Sequence, residues 1–108
     1  LPATGRKLSE ELSRLDGLVG PDGAGVGDVR QVGLAAGAEL VADVETRESF
    51  PPGRRLGQEV CRRAREKGVF LRPLGDVIVF MPPLSITDGE IETLVDAAEH
   101  GIREALSA

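Results

Sequence analysis

The chain has 108 residues, with eighteen acids against thirteen lysines and arginines, one histidine, one cysteine, and neither tryptophan nor tyrosine. A chain of this length forms one domain that buries roughly two-thirds of its extended surface, and a net charge of −5 argues against a nucleic-acid partner. The lone Cys61 excludes an internal disulfide and a cysteine-based zinc site, and no run of about eighteen apolar residues marks a membrane span, so a reducing cytoplasm is expected.

The opening Leu1-Pro2-Ala3-Thr4-Gly5 matches the pattern read by sortases. No apolar span and basic tail follow it, so a chance match or a fragment boundary is expected. Leu8, Leu12 and Leu15 recur at helical spacing and predict an amphipathic helix from about Thr4 to Leu15. Residues 17–27 carry five glycines and read as a flexible connector. Gly23-Ala24-Gly25-Val26-Gly27 is not a phosphate loop, because it leads into the strand-like Val29–Leu34 and opens no helix.

Two strands are expected over Val29–Leu34 and Ala38–Ala42, separated by Ala35-Ala36-Gly37. Asp43, Glu45 and Glu48 lie in a polar loop ending at Pro51-Pro52, and their spacing lacks the glycine and closing acid of a calcium loop. Arg54–Lys67 predicts a second helix stopped by Gly68. On it Leu56, Val60, Cys61 and Ala64 share one face, which makes Cys61 a buried thiol rather than a nucleophile.

A hairpin follows. Valine, isoleucine and phenylalanine flank Arg72-Pro73-Leu74-Gly75, and the Pro-x-Gly pattern fits a type I turn with Arg72 at its first position. An arginine held extended before proline and aimed from a hairpin mouth can bind a carboxylate or phosphate bidentately. Pro82-Pro83 ends the pairing, since neither can donate a ladder hydrogen bond. Thr87 and Glu90 form a capping box with Ile86 and Ile91 as its staple. The last helix lines up Ile91, Leu94, Val95, Ala98, Ile102 and Ala105, with His100 opposite and expected in solvent. The order α-β-β-α-β-β-α predicts an α+β domain, an antiparallel sheet of two hairpins with helices on one face.

Three runs carry a resemblance to a known family: Val29–Val41, Thr46–Pro52 with the arginine-rich segment after it, and above all Gly68–Thr87 with its Met-Pro-Pro-Leu-Ser-Ile-Thr ending. In register from about Asp28 to Leu106, the chain resembles the C-terminal small domain of class III aminotransferases, pyridoxal-phosphate enzymes of fold type I, and most of all their biotin-biosynthetic members. The resemblance implies that residues 28–106 are the small-domain core and that residues 1–16 continue from a large domain absent here. It implies a keto-acid acceptor, an amino donor, contact with that large domain and a homodimer partner. It also implies that Arg72 binds the substrate carboxylate while Leu74 lines the site beside its aliphatic chain.

Such an enzyme needs a cofactor lysine, an acid on the pyridine nitrogen and a phosphate-binding loop. Lys7 and Lys67 both read as surface groups outside the family's cofactor-lysine context, so pyridoxal phosphate is expected on the large domain and the chain is expected to be inactive alone. Members that use S-adenosylmethionine as donor often carry tyrosine where this chain has Val79, which leaves lysine or another amine open as donor. Class III enzymes acting on diamines or ω-amino acids share much of the Met81–Thr87 wording. Two readings from other classes stand beside the family: a free-standing module in which Arg72 grips a carboxylate metabolite, and a structural domain in which Arg72 makes an internal ion pair.

Overall fold

A computed structural model describes residues 3–51, 53–83 and 85–107. Leu1 and Pro2 of the sortase-like pattern, Pro52 of the proline pair and Leu84 of the Met81–Thr87 run lie outside the described residues. The elements run α1 (Ala3–Leu12), β1 (Gly25–Val32), β2 (Ala35–Val41), α2 (Leu56–Ala64) with a 3₁₀ turn over Arg65–Lys67, β3 (Arg72–Leu74), β4 (Val77–Phe80) and α3 (Asp88–Ser107). The four strands form one antiparallel sheet in the order β1-β2-β4-β3, so the two hairpins meet at the β2–β4 ladder.

One face of the sheet is closed. Val26, Ala36, Ala38, Leu40, Ile78 and Phe80 are buried and merge with Leu8 and Leu12 of α1, Leu56 and Val60 of α2, and Ile91, Val95 and Ile102 of α3. The period-2 alternation of β4 is plain, with Ile78 and Phe80 inside and Val77 and Val79 only half-buried on the other face.

Several boundaries differ from the sequence expectation, and glycine geometry explains most of them. The connector over residues 17–27 is not a loop throughout. Strand β1 already begins at Gly25, where a side chain would run into the Leu18 carbonyl, and Val26 is buried. The register slips between Val26 and Asp28, leaving Gly27 as a bulge against Val41. Ala35-Ala36-Gly37 does not break the strands but opens β2. The reversal is Gly33-Leu34, where Gly33 takes φ 60.

The Arg72 turn shifts in the same way. Leu74 pairs with Val77, so the reversal is the two-residue Gly75-Asp76, led by Gly75 at φ 59, and Arg72 lies inside β3 opposite Val79. Two-residue hairpins need a positive φ at their first central residue, which Gly supplies and Pro73 cannot. Pro73 is tolerated within β3 because that strand is the sheet's edge.

Helix α2 is shorter than expected, since Arg54 and Arg55 precede it and Arg55 stands at its N-cap with φ 54. Gly68 closes the 3₁₀ turn at φ 79, as its position after the helix predicts.

Candidate functional site

Arg72 and Leu74 are both exposed on the edge strand β3. Directly opposed residues of an antiparallel ladder share a face, so their partners Val79 and Val77 place both on the side away from the helices. As i and i+2 neighbours they stand about 7 Å apart along the strand. The register extends this face into two rows, Arg30–Gly37–Val79–Arg72 and Asp28–Glu39–Val77–Leu74. At the first turn of α2, a side chain at Gly57 would collide with the Gly75 carbonyl, so this glycine lets the helix lie directly against the β3–β4 turn and fixes the strand that bears Arg72.

Around Arg72 is a hollow of about 280 Å³ whose walls include Phe70, Val79, Met81, Pro82 and Leu94. Arg72 is its sole charged lining group among the described residues. Among the described residues no side chain pairs with its guanidinium, whereas Arg14, Arg30, Arg62, Arg63 and Arg103 each hold a carboxylate within 3.3 Å. A structural role through an ion pair would need a carboxylate partner, and none stands at Arg72 among the described residues. Phe70, Leu74 and Met81 are 81%, 73% and 71% exposed, an apolar concentration that marks a surface to be covered. In that setting, a carboxylate entering the hollow meets an unpaired fork that it can engage through a charge-assisted bidentate contact.

The neighbouring acids offer Arg72 no competitor of this kind. Asp28 is committed to Arg30 at 2.7 Å, a contact that holds its carboxyl below the usual range. Gly37 leaves a smaller depression of about 200 Å³ between Arg30, Glu39 and Val77.

Lys7 bridges Glu11 at 3.4 Å and Glu92 of α3 at 3.3 Å, chiefly the Glu92 hydrogen bond raising its pKa. Lys67 is exposed at the end of the 3₁₀ turn. Neither lysine lines the Arg72 hollow. Cys61 is buried, and burial pushes its thiol pKa up, which disfavours the nucleophilic thiolate. No group of three or more metal-ligating side chains occurs among the described residues, and no described helix is long and apolar enough to cross a membrane. His100 departs from the sequence expectation. It is not free in solvent but partly covered, its Nε2 3.2 Å from Glu66 Oε1 of the 3₁₀ turn.

The sequence singled out Arg72 and Leu74 but not the walls supplied by Phe70, Met81, Pro82 and Leu94. Phe70 and Met81 were visible as apolar residues flanking the strands. Leu94 reaches the hollow from α3, and nothing local to the hairpin signals it.

The model of the family "Aminotransferase class-III" matches residues 2–102. The adenosylmethionine-8-amino-7-oxononanoate aminotransferase of Nitratidesulfovibrio vulgaris is 50% identical over 103 residues, which is 94% of this chain and 18% of that protein. The enzyme of the same name from Aquifex aeolicus is 54% identical over 79 residues, 73% of this chain and 17% of its own. The crystal structure of the Methanocaldococcus jannaschii enzyme of that name superposes with a TM-score of 0.86 at 42% identity, covering 95% of this chain and 22% of that one. An (S)-enantioselective ω-transaminase from Thermomicrobium roseum gives 0.84 at 34% identity, covering 97% of this chain and 22% of its own. The chain thus spans less than a fifth of the length of the curated relatives it matches.

Proposed function

The chain belongs to the class-III aminotransferase family, and from that premise we propose that it is the carboxylate-reading part of an enzyme that transfers an amino group to 8-amino-7-oxononanoate in biotin biosynthesis. Arg72 takes the acceptor's distal carboxylate, and Leu74 with the apolar walls takes its methylene chain. The uncovered sheet face packs on the remainder of the polypeptide, which holds pyridoxal phosphate and its lysine and pairs with a second copy in the cytoplasm. The observation that carries this reading is the unpaired Arg72, lone cation of an apolar hollow, in a chain about 50% identical to five relatives that bear that enzyme's name.

In the full-length protein, Arg72→Lys keeps the charge but turns a planar fork into a point donor. Losing one charge-assisted hydrogen bond costs about 1.5–3 kcal/mol, or about ten- to a hundred-fold in acceptor kcat/KM. The donor half-reaction and the melting temperature change little. Both half-reactions surviving while the melting temperature falls would make Arg72 a structural residue.

A second reading, an ω-transaminase acting on a simple amine, is favoured by the superposition on the Thermomicrobium roseum enzyme. It predicts turnover with small keto acids that rivals turnover with the long acceptor.

A further inference from the structure

We propose that the groove between the start of α2 and the end of α3 binds a small polyanion of the di- or triphosphate class. Five of the eleven arginines fall between residues 54 and 65, and with Lys67 they make six cations against Glu59 and Glu66 in a chain whose net charge is −5. Arg54, Arg55, Arg62 and Arg65 line a groove of about 390 Å³ with Ala105 of α3, and Glu59 is its one acid. That volume lies in the range of small-ligand sites, about 300–1,000 Å³.

The acid offsets one of the four charges and leaves Arg54, Arg55 and Arg65 in excess. Glu59 accepts from Arg62 at 2.6 and 3.1 Å and from Arg63 at 3.0 Å, so its oxygens are committed along the helix. Arg54 sits over the Phe50 ring at 5.9 Å. Arg55 and Arg65 have no carboxylate partner among the described residues, although elsewhere in the molecule arginines find acids readily. Like charges in excess of their counter-charge repel one another, and an anion placed between them relieves that repulsion.

Guanidinium forks match phosphate oxygens bidentately. Several forks around one groove suit a ligand with successive phosphates better than a single carboxylate, which can engage only one or two. The groove lies on the helical side, away from the uncovered sheet face, so it is separate from the Arg72 hollow. It neither requires nor extends the aminotransferase reading.

Calorimetric titration of the protein with inorganic pyrophosphate and with ADP, at about 150 mM salt, tests this. Saturable one-to-one binding is expected, weakened at least about tenfold by the Arg55→Ala/Arg65→Ala pair and unchanged by Arg30→Ala on the opposite side of the sheet. Because Arg55 holds a left-handed backbone, Arg65→Glu alone is the second variant and is expected to show the same loss without touching that position. Equal affinity for pyrophosphate and ADP assigns recognition to the phosphates, and tighter ADP binding adds a nucleoside contact, both within the proposal. No saturation by about 10 mM, or equal losses in Arg30→Ala and Arg65→Glu, overturns it.

Discussion

At Thr87 two reciprocal hydrogen bonds start the last helix. The Thr87 N–H donates to Glu90 Oε1 at 2.9 Å, and the Glu90 N–H donates to Thr87 Oγ1 at 3.1 Å. Thr87→Ala removes the second bond and costs about 1 kcal/mol, read as a lower denaturant midpoint at unchanged slope. The Thr87 backbone N–H, followed by its hydroxyl, holds the Glu90 carboxyl below its ordinary range. A lowered folded-state pKa means that this contribution is complete above the ordinary glutamate value of about 4.3 and is lost as pH falls through the lower folded value. Glu90→Gln still accepts the bond but does not titrate, so its midpoint is expected to fall less than the wild type's between about pH 5 and pH 3. Equal falls would contradict the assignment. This box was legible because its two residues are local, three apart and followed by an apolar stripe. Arg72 was legible as a residue but not in its setting, since Leu94 comes from another element and the guanidinium's lack of a partner is a fact of three dimensions.

The elements meet at points where only glycine fits. A Cβ at Gly101 of α3 would collide with the Val60 carbonyl of α2, so the two helices approach backbone to backbone at that residue. Gly101→Ala improves helix propensity by about 1 kcal/mol. It also forces α2 and α3 apart, and overpacking of this kind costs about 1–3 kcal/mol. We expect a lower melting temperature, and an equal or higher one would show that the contact relaxes freely. Helix and strand identities came from periodicity, whereas strand ends depended on which glycine takes a positive φ. Gly33 and Gly75 both do, while Gly37 sits inside β2. Pro73 misled for a related reason: proline signals a turn in most contexts, yet an edge strand tolerates it because one side of its ladder is empty.

Taken whole, the molecule has one finished face and one open one. The helices close the core from Leu8 through Phe80 to Ile102. The opposite sheet face carries Arg72 and Leu74, with exposed Phe70 and Met81 at the hollow's rim. The α+β class and the two-hairpin sheet followed from the order of apolar patterns. Which face stays open did not, because it depends on the pairing of β2 with β4 across the intervening residues 42–76. A domain that is less than a fifth of its relatives' length and presents an unpaired arginine on its open face fits the carboxylate role proposed for Arg72. The most direct test compares the full-length protein's kcat/KM for the keto-acid acceptor with that for its methyl ester, in wild type and in Arg72→Ala. The wild type is expected to favour the acid by about ten- to a hundred-fold and the variant to treat both nearly alike. An Arg72→Ala protein that keeps the full preference for the free carboxylate would contradict the account.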